Sequence, residues 1–309
     1  MKPYFSVIIP LYNKENFIKN TIKSVLNQSF TDFELIIVND CSTDRSLNIV
    51  SKFIDERLKI FSKKNEGVAI ARNFGIENSK GDFICFLDAD DIWKVDYLKI
   101  MNFYSIKFPE LKVFSCAIEI ETNTTLFKPN YSIKKTNDYE IVDFFNASNE
   151  ECVLWTSSIV INKNVFQKIG TFDIKINKGE DTELWIRIGL NYSILFIWEV
   201  LSTYKYDLKS ISRNSNYYFE DYVFKKYIEE EKRNPALKKY LDLNRFSAAI
   251  KCKLNNNLIQ FKKLKSEIDL KEISFKKKIL LYLPRFILLV LIFFKNKFVE
   301  FGLTNSIFK

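Results

Sequence analysis

The stretch Phe83-Ile84-Cys85-Phe86-Leu87-Asp88-Ala89-Asp90-Asp91 passes directly from an apolar run into three carboxylates. Its apolar residues are typical of a strand buried on both faces of a parallel sheet. Because open α/β sheets bind ligands at the carboxyl ends of their strands, we expect the acidic residues at a ligand-binding edge. Carboxylates crowded there favour a hard cation such as Mg²⁺ or Mn²⁺. Taken alone, the motif also leaves open a solvated strand-to-helix turn.

The residues around this stretch alternate between strand and helix patterns. Phe5 to Leu11 is a continuous apolar run, whereas the apolar residues between Phe17 and Phe30 recur at helical spacing. The same patterns predict strands at 34–38, 58–61 and 83–87 and helices at 43–54 and 67–77. This alternation indicates βαβ units, so we predict an α/β fold with a mixed, mostly parallel sheet flanked by helices.

Downstream of Asp91 the pattern is looser. We predict helices at 95–107 and 181–190, strands at 112–120 and 157–161, and one or two strands within 193–206. From about residue 217 the chain is rich in lysine and is predicted to be helical, without strands. The sequence therefore predicts a first domain over residues 1–215 and a helical C-terminal region over residues 216–309.

Composition narrows the chemistry that this chain of 309 residues can perform. It contains no histidine, which removes the commonest general base and the serine–histidine and cysteine–histidine nucleophile systems. Its five cysteines are scattered, a pattern that disfavours a disulfide framework and a zinc cluster. We therefore expect carboxylates to carry any chemistry.

The formal net charge of +9 is concentrated in the C-terminal region. Residues 225–309 contain 20 Lys and Arg against 8 Asp and Glu, whereas residues 1–224 have a net charge of −3. Because the basic charge lies away from the region that holds the aspartates, we expect no nucleic acid as a partner.

An apolar run from Ile279 to Phe294 is flanked by lysines and interrupted by Pro284. A helix of this length spans about 24 Å, less than the ~30 Å hydrocarbon core of a bilayer. The run suits a helix lying in the headgroup region of an anionic membrane. Because the residues after Met1 do not resemble a signal peptide, we expect a cytoplasmic protein on the inner face of the cell membrane. Docking on the protein's own core or on a partner chain, including a homo-oligomer, stays open.

Four motifs follow one another along the first domain. They are Ser6-Val7-Ile8-Ile9-Pro10-Leu11-Tyr12-Asn13, then Val38-Asn39-Asp40-Cys41-Ser42-Thr43-Asp44, then Ala71-Arg72-Asn73 leading to Asp88-Ala89-Asp90-Asp91, and finally Gly179-Glu180-Asp181. Together they resemble the motifs of the family 2 glycosyltransferases of the GT-A fold. The resemblance covers residues 4 to about 213, and the order and spacing are more specific than any single motif.

This resemblance implies a nucleotide-sugar donor, with a UDP-sugar favoured. Asp40 has the polarity to accept a hydrogen bond from the imide N–H of uracil, which cytosine lacks. Pro10 and Tyr12 are implied to form the wall around the base and ribose, and Arg72 is a candidate to contact the donor nucleotide. Helix capping is the alternative role for the polar residues that follow Asp40.

The resemblance also implies a metal site and a base. Asp88 is expected to face the donor ribose and the metal, and Asp90 to ligate Mn²⁺ or Mg²⁺ at the diphosphate, where the ion stabilises the charge of the leaving group. Asp181 is expected to deprotonate the acceptor hydroxyl, which attacks the anomeric carbon in a single inverting displacement. Glu180 is the weaker candidate for this base, and helix capping is the alternative role for both residues.

Some residues depart from the family pattern. Asn39 and Cys41 stand where the family has an aspartate and a glycine, a difference that leaves the role of Asp40 in place. Asp207 stands where the family often has a histidine, and whether Asp207 is a metal ligand stays open. Trp155 is a candidate for stacking on an acceptor sugar, with a core position as the alternative.

The motifs together predict an inverting glycosyltransferase that moves a sugar to a saccharide acceptor, lipid-linked, in the assembly of capsule, O-antigen or exopolysaccharide. Two alternatives stay open. A nucleotidyltransferase of similar fold would normally carry a glycine-rich basic loop after its first strand, where this chain has Pro10-Leu11-Tyr12-Asn13-Lys14. A non-enzymatic basic module would bind RNA or another anionic partner through the C-terminal region and give the aspartates no role.

Overall fold

The computed structural model describes residues 2–122, 124–206 and 221–300. The chain divides into two compact units. The first comprises Met1–Ile120, Lys134–Phe144 and Val153–Lys205, and the second comprises Glu121–Ile133, Phe145–Cys152 and Tyr206–Lys309. The domain boundary predicted at residue 215 falls outside the described residues and stays a prediction.

Strands and helices alternate at the start of the first unit, in the predicted order. The elements are β1 (Phe5–Leu11), α1 (Ile18–Leu26), β2 (Phe33–Asn39), α2 (Ser46–Val50), β3 (Leu58–Ser62), α3 (Val68–Asn78) and β4 (Phe83–Phe86). The chain continues through β5 (Ile92–Trp93), α4 (Tyr97–Lys107), β6 (Val113–Glu121), β7 (Leu126–Phe127), β8 (Tyr139–Val142), α5 (Phe144–Ala147), β9 (Ile159–Asn162), α6 (Asn164–Ile169), α7 (Glu180–Asn191) and β10 (Ile194–Lys205). Of these, β7 and all of α5 except Phe144 belong to the second unit.

One mixed sheet forms the centre of the first unit, with the strand order β3-β2-β1-β4-β9-β6-β10-β5. The strands β3, β2, β1 and β4 are parallel, whereas β9 lies antiparallel between β4 and β6. All of β2 and all of β1 except Pro10 are buried, as expected for strands covered on both faces. The predicted α/β fold with a mixed sheet and flanking helices is confirmed.

Two helices show how the sheet is covered. The buried residues Ile18, Ile22 and Val25 of α1 recur at helical spacing, so one face of this helix belongs to the core. On α3, a β-carbon placed on Gly75 would lie 2.4 Å from Cγ2 of Ile8 on β1. Glycine therefore allows α3 to approach β1 more closely than any other residue would.

Element boundaries differ from the predictions where polar side chains take the place of regular structure. The strand predicted from Ser157 begins at Ile159, because Thr156–Ser158 form a 3₁₀ turn. The helix predicted from Thr43 begins at Ser46, since Asp44 accepts hydrogen bonds from the backbone of Glu15 and Ser46. The segment predicted as one or two strands forms a single strand, β10.

Helices make up most of the second unit where the structure describes it, as predicted. They are α8 (Asp221–Lys226), α9 (Ile228–Arg233), α10 (Pro235–Leu254), α11 (Leu258–Glu267), α12 (Phe275–Tyr282) and α13 (Arg285–Glu300). Pro284 separates α12 from α13, at the predicted interruption of the apolar run. Among the described residues, no helix combines the length and apolar character needed to cross a bilayer.

Candidate active site

Two aspartates follow β2 and β4, the parallel strands on either side of β1, at one edge of the sheet. Asp40 directly follows β2, and its backbone N–H donates to the carbonyl oxygen of Leu11 on β1 at 2.8 Å. Leu87 follows β4, and its N–H donates to the carbonyl oxygen of Ile8, which also lies on β1, at 3.0 Å. The parallel register of β2 and β4 on either side of β1 therefore brings Asp40 and Asp88 to the same, carboxyl edge.

Asp40 is buried, with 4% of its surface exposed. Its carboxylate accepts hydrogen bonds from Nζ of Lys63 at 2.7 Å and from the backbone N–H groups of Glu66 at 3.0 Å and Gly67 at 2.8 Å. Gly67 has a φ of 95° and caps the start of α3. The charge of Asp40 is thus stabilised in place, as a fixed acceptor at the sheet edge requires.

The Asp88–Asp91 segment is a tight turn in which the N–H of Asp91 donates to the carbonyl oxygen of Asp88 at 3.0 Å. Asp91 is buried, and its carboxylate accepts from Oγ of Ser157 at 2.5 Å and from the N–H of Lys205 at 3.1 Å. Burial raises the pKa of Asp91 well above its ordinary value. Asp91 therefore anchors the turn to the chain around Ser157 and Lys205, and Asp88 and Asp90 remain as its partly exposed acids.

Each of these two acids has a cationic partner. Asp90 forms an ion pair with Lys14, which lies in the loop between β1 and α1. Burial raises the pKa of Asp90 even though the charge of Lys14 opposes the shift. Asp88 accepts a hydrogen bond from Nη2 of Arg72 at 2.8 Å. The turn thus presents two carboxylates against two fixed positive charges.

Arg72 lies on α3 and is only 4% exposed. Its second terminal nitrogen, Nη1, donates to Oε1 of Glu180 at 2.9 Å, and its guanidinium lies 5.2 Å from the centre of the Phe172 ring. Asn73, the next residue, exchanges two hydrogen bonds of 2.9 Å with the backbone of Phe172. Arg72 therefore links the Asp88 turn to the start of α7.

The fourth motif forms the first turn of α7. Gly179 adopts a left-handed conformation with a φ of 83° and precedes the helix, and Asp181 is partly exposed. Glu180 is 8% exposed, and burial together with the charge of Asp181 raises its pKa to about 7. Arg187 pairs with Glu183, one turn before it on α7, and donates to the carbonyl oxygen of Ile169, which ties α7 to the end of α6.

The other residues predicted for the site lie at the end of β1 or near β10. Pro10 is partly buried beside Val38 of β2, and Tyr12 is 42% exposed beyond the end of β1. Trp155 lies with its ring centre 5.2 Å from that of Tyr204. Asp207 lies outside the described residues.

A divalent ion at a nucleotide is typically held by one or two carboxylates together with substrate phosphates. In the described part of the chain, no group of three or more His, Cys, Asp or Glu side chains could hold a metal by itself. Burial is the largest cause of the raised pKa of Asp90, and repulsion from the nearby charge of Asp88 raises it further. This pair fits Mg²⁺ or Mn²⁺ that is also bound by phosphate oxygens.

Sequence reasoning missed three residues that hold the site together. Lys14 and Lys63 pair with Asp90 and Asp40, and Ser157 bonds to Asp91. No local pattern marks a loop lysine as the partner of an acid 76 positions later. The excess of acidic side chains at this edge was the available signal, since buried acids need nearby donors or cations.

Comparison with known proteins identifies the family. The family model described as glycosyl transferase family 2 matches residues 6–170. The chain belongs to this family. The resemblance inferred from the four motifs is confirmed.

Relatives of this family 2 chain include named glycosyltransferases. An uncharacterized glycosyltransferase of Rickettsia conorii, RC0461, is 37% identical over 195 residues, which cover 61% of this chain and 30% of that protein. The putative teichuronic acid biosynthesis glycosyltransferase TuaG of Bacillus subtilis is 46% identical over 101 residues, which cover 32% of this chain and 40% of TuaG. The chain thus matches less than half the length of either relative.

Solved structures support the fold. The crystal structure of S. aureus TarS 1–349 in complex with UDP-GlcNAc matches with a TM-score of 0.61 and 20% identity, over 86% of this chain and 72% of that one. At this level of identity the likeness concerns the fold alone. The predicted GT-A fold is confirmed.

Proposed function

We propose that this chain is an inverting glycosyltransferase that moves a sugar from a nucleotide sugar, with a UDP-sugar favoured, to a saccharide acceptor. The observation that carries the proposal is the Arg72 bridge, which connects the Asp88 turn to the helix that begins with Glu180 and Asp181. A donor held at the turn would therefore lie beside a partly exposed carboxylate. The TarS complex with UDP-GlcNAc supports a UDP-sugar as the donor.

In this proposal Asp181 is the general base. Its carboxylate takes the proton of the acceptor hydroxyl as the oxygen attacks the anomeric carbon, and the bond from that carbon to the diphosphate oxygen breaks in the same step. Asp88 and Asp90 would hold Mg²⁺ or Mn²⁺, which neutralises the charge that develops on the departing diphosphate. Lys14 and Arg72 add fixed positive charge beside the two acids.

Asp40 is proposed to recognise the nucleobase through a hydrogen bond. Its carboxylate is fixed by Lys63 and by two backbone N–H groups, and it follows β2 at the same edge as Pro10 and Tyr12. A carboxylate accepts hydrogen bonds only, so it matches the imide N–H of uracil. Pro10 and Tyr12 are the proposed wall around base and ribose.

We place the reaction in surface-polysaccharide assembly, with a lipid-linked acceptor, at the inner face of the cell membrane. The names of TuaG and of the putative glycosyltransferase EpsH of Bacillus subtilis, which is 36% identical over 121 residues, support the pathway class. Support for the location comes from α12 and α13, which expose apolar side chains such as Phe286, which is 68% exposed, and also expose Lys276 and Lys297. Lysines around apolar side chains are typical of helices that lie on anionic membranes.

Two substitutions test the chemistry: Asp181→Asn and Asp90→Ala, assayed against panels of nucleotide-sugar donors and acceptors. Both variants are expected to lose turnover, and Asp181→Asn is expected to lose roughly 10²- to 10⁴-fold, as for other general bases. The matched control is Asp32→Asn, because Asp32 is exposed and precedes β2, whereas Asp40 follows the other end of this strand. Full turnover in both site variants would falsify the mechanism, and release of pyrophosphate instead of nucleoside diphosphate would indicate a nucleotidyltransferase.

A further inference from the structure

Glu180 has no part in the proposed chemistry, yet its surroundings are specific. It is the first residue of α7, directly precedes the proposed base Asp181 and is almost fully buried. Its Oε1 accepts a hydrogen bond from Nη1 of Arg72 at 2.9 Å. The same guanidinium donates through Nη2 to Asp88 at 2.8 Å. One side chain therefore joins the turn of the proposed metal site to the turn that carries the base.

The anchor of this connection is rigid. Arg72 lies on α3, which approaches β1 so closely at Gly75 that no β-carbon fits against Ile8. Asn73 fixes the same helix to the backbone of Phe172 through two hydrogen bonds. A planar guanidinium loses little conformational freedom when it binds two acids at once. Arg72 therefore holds Glu180 and Asp88 at fixed positions relative to α3.

The negative charge of Glu180 is costly where it lies. Burial and the neighbouring charge of Asp181 raise its pKa to about 7, so the ionised form is disfavoured. A glutamine would fill the same space without this cost, but it would lose the charge that pairs with the guanidinium of Arg72. Packing alone therefore does not account for a carboxylate at this position.

We infer that Glu180 is a positioning residue: paired with Arg72, it fixes the first turn of α7, and with it the carboxylate of Asp181, relative to Asp88. The inference rests on the proposed function, in which Asp181 must meet the acceptor hydroxyl while the donor is held at the Asp88 turn. A shift of about 1 Å between reacting groups can reduce turnover by about 10²-fold. Weakening the bond between Glu180 and Arg72 should therefore reduce the rate of transfer without reducing the affinity for the nucleotide.

The test compares Glu180→Gln, Arg72→Lys and the double variant. We expect Glu180→Gln to lower kcat by roughly 10- to 100-fold, while donor KM and UDP affinity change little. The double variant should be no slower than the slower single variant, because both changes break one bridge. Glu77→Gln, an exposed glutamate on α3, is the matched control and should keep wild-type kinetics.

Three results would overturn the inference: unchanged kcat in Glu180→Gln, multiplicative losses in the double variant, or equal losses of kcat and UDP affinity. Asp181→Asn, measured in parallel, separates this failure from failure of the proposed function. If Asp181→Asn keeps full turnover, the proposed base is wrong. If Asp181→Asn is inactive and Glu180→Gln is fully active, only the positioning role is wrong.

Discussion

The backbone N–H of Gly67 donates a hydrogen bond of 2.8 Å to the carboxylate of Asp40. Gly67 has φ and ψ values of 95° and 165°, a conformation that is essentially restricted to glycine. The proposed nucleobase acceptor is thus held by a backbone geometry that other residues reach only with strain. The start of α3 and the end of β2 are consequently coupled through one hydrogen bond.

Gly67→Ala should therefore weaken both folding and nucleotide binding. We expect a loss of about 1–3 kcal/mol in the free energy of unfolding, measured by urea titration, from strain at this φ. Calorimetry should show weaker UDP binding as well. Gly170→Ala is the matched control, because Gly170 has similar angles of 80° and 172° at the end of α6. If both variants bind UDP equally well, the Gly67–Asp40 bond does not support the nucleotide site.

Asp40→Asn should change the preference between nucleobases. An amide can donate as well as accept, so it can pair with the N3 acceptor of cytosine, whereas a carboxylate cannot. We expect UDP affinity to fall about tenfold, which corresponds to one hydrogen bond to a charged group, and CDP affinity to stay level or rise. Calorimetric titration with both nucleotides measures the change. An identical loss for UDP and CDP would assign Asp40 to loop structure.

Asp90→Ala should remove the effect of Mn²⁺ on nucleotide binding. In the unaltered chain, UDP with Mn²⁺ at about 100 times its Kd should raise stability by about 2.7 kcal/mol, and a chelator should remove the metal-dependent part. The variant should show the same small stabilisation by UDP with and without Mn²⁺. Asp32→Asn, at the opposite end of β2, should respond as the unaltered chain does. A full Mn²⁺ response in Asp90→Ala would exclude Asp90 as a ligand.

The pKa of Glu180, about 7 against an ordinary 4.5, gives a defined pH dependence. Because the folded chain binds this proton more tightly than the unfolded chain, stability falls as the pH rises from about 4.5 to about 7 and is level above that. The contribution is at most about 3 kcal/mol. Glu180→Gln should lack this part of the slope between about pH 4.5 and about pH 7 in urea unfolding, whereas Glu77→Gln keeps it. An unchanged slope in Glu180→Gln would show that Glu180 titrates normally.

Replacing Phe293 and Phe294 by serine should weaken binding to anionic vesicles. Both side chains are more than half exposed on α13, and each contributes apolar area to the proposed membrane contact. Sedimentation with vesicles of phosphatidylglycerol and phosphatidylcholine should show reduced binding, and the unaltered chain should bind phosphatidylcholine alone weakly. Phe103→Ser, which removes an equally exposed ring from α4, is the control. Equal sedimentation of all three proteins would argue against a membrane contact through α13.

Periodicity predicted the first half of the sheet because its signals are local. Phe5–Leu11 was predicted to the residue, since a buried parallel strand is a continuous apolar run. The short elements β5 and β8 were missed, because two to four residues carry no measurable period. The strand near Ser157 was predicted too early, because the hydroxyl of Ser157 bonds to Asp91, 66 positions away.

For the site, too, residues with a local sequence signal were predicted and residues that depend on long-range contacts were not. The acids were found because Asp40 and Asp88 come at the ends of apolar runs and Asp90 lies two residues after Asp88, a relationship visible in the sequence. Their partners were not, since Lys14, Lys63 and Arg72 reach them across different elements. Arg72 was predicted to contact the nucleotide, and the contacts described for it are with Asp88 and Glu180. Its contact with the nucleotide stays a proposal.

The division of the chain into two interleaved units limits how the protein can be cut for experiments. A fragment that ends at Lys205 keeps residues 121–133 and 145–152 but loses the helices that complete their unit. Phe145, fully buried, would then lose Tyr240, whose ring centre lies 5.7 Å away. Such a fragment would expose aromatic surface and tend to aggregate. Recombinant work on donor binding should therefore use the whole chain.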